Sequence, residues 1–276
     1  MPKQQSKTEK AYTNIEFLNS PDARPIRILS EFLEPMRRFR NEQIKDTIVF
    51  FGSARIRPLK DSLKTLRQLQ KQSKFSKLTP ALRRRIEAAQ SDVSMSRYYE
   101  DAVVLSRRLT EWSKKFFHMH RFVVCSGGGP GIMEAANKGA SIAGGRSIGL
   151  NISIPTEQFS NPYVSKELLF EFHYFFMRKF WFVYLAKALV MFPGGFGTLD
   201  ELMEVLTLLQ TGKIKKKMTV VLYGQEYWKK ILNFDAMLQH RVISQADMRL
   251  FKFANTPDEA FYHLTTELKR NYPRAL

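Results

Sequence analysis

Between Phe192 and Glu201 the chain reads Phe-Pro-Gly-Gly-Phe-Gly-Thr-Leu-Asp-Glu, a glycine-rich turn set between an apolar run, Ala188 to Met191, and a helical pattern, Leu199 to Thr211. Such a turn makes an anion site. Glycines let the backbone bend sharply and approach a ligand, and the unpaired N–H groups opening the next helix favour a phosphate. Glu201, just past the turn, is a candidate catalytic carboxylate. Its spacing from Thr198 also fits a capping box, in which the threonine caps the helix and the glutamate reaches back to the cap's own N–H. A carboxylate beside a phosphate cradle is tolerated when it faces another part of the ligand, and a sugar suits that place.

Two further turns have the same character. Ser126-Gly127-Gly128-Gly129-Pro130-Gly131-Ile132-Met133-Glu134 joins an apolar run to a helical one, and Gly52-Ser53-Ala54-Arg55 follows another apolar run. Neither has the spacing of a dinucleotide fingerprint, and there is no Gly-Lys-Ser/Thr for a triphosphate loop. Close packing of a strand on a helix also demands glycine, so each turn alone is weak evidence. Together they converge on one crevice and point to a nucleotide. Arg178-Lys179 adds a guanidinium able to hold a phosphate or a leaving base through paired donors, and a lysine point charge. The plainer reading is a basic pair reaching out from a buried aromatic helix.

The turns need a frame to bring them together. Five apolar runs end at or near glycine: Thr47 to Phe51, Phe122 to Cys125, Ser147 to Ile154, Ala188 to Phe192 and Thr219 to Tyr223. They lack polar alternation, as strands covered on both faces require. Helical patterns at Tyr98 to Phe117, Ile132 to Ala143, Phe175 to Lys187 and Leu199 to Gln210 lie between them. Strand and helix in alternation imply an α/β fold, a Rossmann-like doubly wound parallel sheet whose ligands sit beyond the carboxyl ends of the strands. Residues 60–96 interrupt this rhythm with leucines at helical spacing, and Thr79-Pro80 reads as a cap and first helical residue. An inserted basic helical hairpin is expected there. Residues 1–46 read as a helical extension broken by Pro21, Pro25 and Pro35, and residues 47–276 as the nucleotide-binding domain.

The 276 residues, 44% hydrophobic, can bury one large core. The one cysteine, Cys125, excludes an intramolecular disulfide and reads as a buried strand residue. Nothing has metal-ligand spacing, and no metal or cofactor is expected. Met1 to Lys10 lacks the apolar core of a secretory signal, and Arg178, Lys179 and Lys187 interrupt the apolar stretch Phe172 to Phe192. A cytoplasmic protein with no membrane span is expected. The formal charge of +18 is concentrated: Arg55 to Arg85 holds eleven Lys or Arg residues and one acid, Asp61. Such a block attracts polyanions, or serves as a solvated arm supporting solubility or assembly.

These residues resemble the LOG family, named for plant cytokinin-activating enzymes and long labelled lysine decarboxylases. The resemblance runs from about Thr47 to Leu264. It is carried by Pro193-Gly194-Gly195-Phe196-Gly197-Thr198 with Glu201, and by Arg178-Lys179 before it. Gly127 to Gly131 with Met133-Glu134-Ala135-Ala136-Asn137, and Gly149-Leu150-Asn151-Ile152, look like the longer bacterial branch. The resemblance implies hydrolysis of a nucleoside 5′-monophosphate to free base and ribose 5-phosphate, with Glu201 and Arg178 catalytic. It implies a phosphate cradle of Gly194, Gly195, Gly197 and Thr198, closed by Gly52, Ser53, Gly128 and Gly129, with Glu134 and Lys179 also at the substrate, and a homo-oligomer. A polyanionic regulator at residues 55–85 is a further candidate partner. The family's His-x-Met-His-x-Arg-Lys segment reads here His173-Tyr174-Phe175-Phe176-Met177-Arg178-Lys179, so the base preference of the plant enzymes does not carry over.

Overall fold

Thr47–Phe51 forms β1, an all-apolar strand after its first residue and buried along its whole length. It is the centre of a seven-stranded, wholly parallel sheet in the computed structural model, which describes residues 8–75, 78–116, 120–155 and 159–273. The other strands are β2 (Val123–Ser126), β3 (Ser147–Ile152), β4 (Leu169–Phe172), β5 (Ala186–Met191), β6 (Thr219–Tyr223) and β7 (Lys252–Ala254), in the spatial order β4-β3-β2-β1-β5-β6-β7. The chain first winds outward through β2, β3 and β4, then returns to the other side of β1 for β5, β6 and β7. The switch point of this doubly wound sheet therefore lies between β1 and β5, where a crevice opens beyond the carboxyl ends.

Alternate strand residues face opposite layers, as the two-residue period of a strand demands. Val49, Phe51, Leu189 and Met191 pack into the layer of α2 (Arg24–Asn41), α6 (Phe175–Tyr184) and α7 (Phe196–Gln210). Ile48, Phe50, Ala188 and Val190 face α4 (Pro80–Ser113), α5 (Ile132–Ile142) and α10 (Pro257–Asn271). Short helices α1 (Ile15–Asn19), α8 (Gln225–Ile231) and α9 (Phe234–Gln239) complete the layers, and α3 (Leu59–Phe75) pairs with the first part of α4.

The expected parallel sheet and helical hairpin are both present, with corrections of detail. β4 and β7 escape the sequence reading because each is a short edge strand, and β4 alternates buried and exposed residues. β2 begins one residue late because Phe122 takes a φ of 53°, which no strand residue adopts. The hairpin's second arm does not end before the next helix: α4 runs unbroken for 34 residues, with Thr79 capping it and Pro80 in its first turn. Pro35 does not break its helix either. It lies inside α2, where a proline removes the N–H that would bond the carbonyl four residues back. The indole N–H of Trp181 donates to that carbonyl, Glu31 O, at 2.9 Å. Lys77, Phe117 and residues 1–7, which the sequence reading includes in the basic stretch, a helix and the N-terminal extension, lie outside the described residues.

Candidate active site

The cleft at the switch point is built where three turns meet. Ser53 N donates to Pro193 O at 2.9 Å and Ile132 N to Ser53 O at 3.1 Å, so the turns after β1, β5 and β2 are bonded in series. They enclose about 860 Å³ lined by Gly52, Ser53, Gly127, Met133, Arg178, Pro193 to Glu201 and Tyr227, among others. That volume suits a small-molecule site.

On the β5 side the turn runs directly into α7, whose cap is Gly195. The helix begins at Phe196, three residues before the expected start, and this removes the capping-box alternative: Thr198 lies within the helix and no side chain caps it. The threonine instead folds back on Gly194, where a Cβ would stand 2.1 Å from Thr198 Oγ1. Gly195 and Gly197 face open space, with nothing within 4 Å of an added Cβ. The opening amides of α7, which have no carbonyl four residues back, thus border the cleft with the positive end of the helix dipole behind them.

Glu201 is only 6% exposed, and its Oε2 has no hydrogen-bond partner. Burial pushes its carboxyl up to about 7, offset in part by Lys179, whose Nζ stands 3.9 Å from Oε2. Glu204 and Asp200 add repulsion that holds the proton on, and Arg178 favours the ionised form. A carboxyl in this state titrates near neutrality, the range useful for acid–base work.

Arg178 reaches the cleft from α6. Its Nε donates to Leu150 O at 2.8 Å, its guanidinium lies over the Phe182 ring at 5.0 Å, and a Cβ on Gly127 would stand 2.5 Å from its Nη2. Gly127 is therefore the residue that leaves room for this side chain. Burial lowers the guanidinium from its ordinary value, with Glu201 opposing.

Eight residues singled out in the sequence meet at this cleft: Gly52, Ser53, Arg178, Gly194, Gly195, Gly197, Thr198 and Glu201. Gly128, Gly129, Glu134 and Lys179 do not line it. Asn161 Nδ2 donates to the carbonyls of Gly128 and Gly129 at 2.9 and 3.0 Å and to Asn137 Oδ1 at 3.0 Å. Both glycines are thereby fixed beneath the cleft. Glu134 accepts from the Tyr99 hydroxyl at 2.6 Å. Lys179 bridges α6 and α7 through Asp200 at 2.8 Å and Glu204 at 2.7 Å, so it acts on Glu201 from behind.

Sequence reasoning missed Asn161, for which no motif or spacing gives a signal, and Asp92 and Met95 of α4, which line the cleft mouth. It also missed Tyr227, whose hydroxyl donates to Gly194 O at 2.8 Å. Among the described residues no group of three or more His, Cys, Asp or Glu could hold a metal ion, and no helix is long and apolar enough to cross a membrane.

Fold and cleft together define a parallel α/β protein with a glycine-turn site at its switch point. A family model described as "possible lysine decarboxylase" matches residues 133–264. Two rice (Oryza sativa subsp. japonica) proteins, described as probable cytokinin riboside 5′-monophosphate phosphoribohydrolases LOGL6 and LOG4, are 27% identical over 164 and 146 residues. These matches cover 58% and 52% of this chain, and 62% of each relative's own length. The LOG-family resemblance read from the sequence is thereby borne out. Among solved structures, that of TM1055 aligns with a TM-score of 0.48 at 20% identity, covering 80% of this chain and 99% of that one. The molybdenum-cofactor carrier protein of Chlamydomonas reinhardtii aligns with a TM-score of 0.38 at 22% identity, covering 62% and 90%.

Proposed function

We propose that the cleft hydrolyses the N-glycosidic bond of a nucleoside 5′-monophosphate, releasing free base and ribose 5-phosphate. The observation that carries this reading is Glu201, a buried carboxyl with an oxygen that lacks a hydrogen-bond partner, in the second turn of a helix whose opening amides border the same cleft. Phosphate at those amides sets the ribose toward the carboxylate. As the C1′–N bond breaks, its electron pair leaves with the base and positive charge develops on the sugar, where the Glu201 carboxylate stabilises it. Water then adds to C1′ and gives a proton to Glu201, while the base takes one from solvent and Arg178 donates hydrogen bonds to it as it departs. The apolar wall of Phe51, Met133, Ile152, Phe175 and Phe182 suits a flat heterocycle. The activity by which the two rice relatives are described supports the reaction class.

The test is incubation with AMP, GMP, IMP, CMP and UMP in turn, following base and ribose 5-phosphate by chromatography. Equimolar release of both from at least one nucleotide is expected. Nucleotide bound without release would replace this reading with that of a binding module.

Lys179 gives a finer prediction. It is the largest influence favouring ionisation of Glu201, so Lys179→Met is expected to raise the Glu201 carboxyl further. The acid limb of the pH–kcat/KM profile moves to higher pH, with KM at alkaline pH little changed. A large rise in KM with an unmoved limb would instead make Lys179 a substrate contact.

Self-association belongs to the same reading. Phe175, Phe176, Phe180 and Tyr184 of α6 and Ile26, Leu29 and Leu33 of α2 are all exposed, on two helices that contact each other, and apolar side chains gathered in this way mark an interaction face. Light scattering is expected to give a multiple of the 32.2 kDa chain mass, and a monomer mass removes this part of the proposal.

A further inference from the structure

We propose that the α3–α4 hairpin is a docking arm for single-stranded nucleic acid, held through its phosphate backbone. Lys60, Lys64, Arg67, Lys71 and Lys74 fall at spacings of four and three, which puts them on one stripe of α3, and all five are exposed. At 1.5 Å per residue the stripe is about 21 Å long, with a cation about every 5 Å along it. Arg83, Arg84 and Arg85 continue the charge on α4 beside the far end of the stripe. Among the described residues, none of these eight side chains forms an ion pair.

Two features argue against a merely solvated arm. The arginines stand near the positive end of the α4 dipole, and no acid in the first turn offsets it. That placement disfavours the helix unless an anion joins it. Phe75, at the end of α3, is 79% exposed beside Lys74. A track of cations with an exposed aromatic ring is how proteins hold single strands, phosphates on the charges and a base on the ring. A membrane surface fits less well, because the hairpin spends its apolar face on itself: Leu66, Leu69, Leu82, Ile86 and Ala89 pack together between the arms.

The test is fluorescence anisotropy with a labelled 20-nucleotide oligouridylate across a salt series. Binding that weakens steeply with salt is expected. K64Q/R67Q/K71Q removes three cations and is expected to lower the salt slope by about 2, equivalent to about 100-fold weaker binding at 0.1 M salt. K213Q/K215Q/K217Q removes the same charge elsewhere and is expected to cost less than threefold. All six positions lie on the solvent side, and circular dichroism checks that both variants fold. Phe75→Ala is expected to weaken oligouridylate binding while leaving binding of inorganic polyphosphate unchanged. Equal losses in the two triple variants, salt-insensitive binding, an equal response of both anions to Phe75→Ala, or tighter binding to phosphatidylserine vesicles would each overturn the proposal.

Discussion

Glu201→Gln is expected to cut nucleotide turnover by about a hundredfold to ten-thousandfold, the usual worth of a positioned acid–base group, while making the protein more stable at alkaline pH. The second half follows from the carboxyl's titration. Its folded value is pushed up to about 7 from 4.5, chiefly by burial, so between those values the folded state holds a proton that the unfolded chain releases. Stability from this group is complete below about pH 4.5 and is lost as pH rises through about 7. At about 1.36 kcal/mol per unit, the ionised carboxylate costs about 3 kcal/mol at pH 8. Glutamine carries no charge and avoids that cost, so the melting midpoint of the variant rises by about 6 °C at pH 8 and by almost nothing at pH 4. Lost turnover with lowered stability at both pH values would mean that Glu201 is structural. Trading stability for a poised group is expected of a working site.

The second large effect is structural. Gly131 has φ 71° and ψ −132°, a conformation almost confined to glycine. A Cβ there would stand 2.4 Å from Ser53 O and 2.6 Å from Ala54 C, backbone atoms of the turn after β1. Strain of about 1–3 kcal/mol and overpacking of similar size give Gly131→Ala a cost of about 4 kcal/mol and a fall in melting midpoint of about 8 °C or more. The same methyl group pushes two of the three cleft turns apart, so turnover falls with stability. Gly197→Ala is the counterpart. Nothing lies within 4 Å of its added Cβ, and alanine is the better helix former, so its midpoint holds or rises while KM increases because the methyl group intrudes on the proposed phosphate site. A Gly131→Ala midpoint within 2 °C of the parent would refute the first of this pair.

Much of the frame was legible because central parallel strands are continuously apolar and end at glycine. Thr47–Phe51 and Thr219–Tyr223 have the bounds their apolar runs suggest. β4 was not legible, since a half-exposed edge strand such as Leu-Phe-Glu-Phe has no distinctive pattern. That the β5 turn and Glu201 share one cleft was legible because glycine and acid sit on one local stretch. The placement of Gly128, Gly129 and Lys179 was not, because it depends on partners far along the chain: Asn161 beneath the first two, Asp200 and Glu204 around the third. A residue's type states what it can do, whereas its partners decide which capacity is already spent. Pro35 makes the same point in the fold, since Trp181, far along the sequence, takes up the carbonyl that the proline leaves without its helical partner.

The order of the sheet also governs when the cleft can exist. β1 is the first strand made, and it is flanked by β2 on one edge and by β5 on the other, with Phe51 paired to Met191. Until the chain has passed that residue, the central strand keeps one open edge and the turn after it lacks its bond to Pro193. Contacts this distant in sequence are the slow ones to form. The cleft is therefore among the last features completed as the polypeptide collapses, and its presence reports that both halves of the molecule have joined.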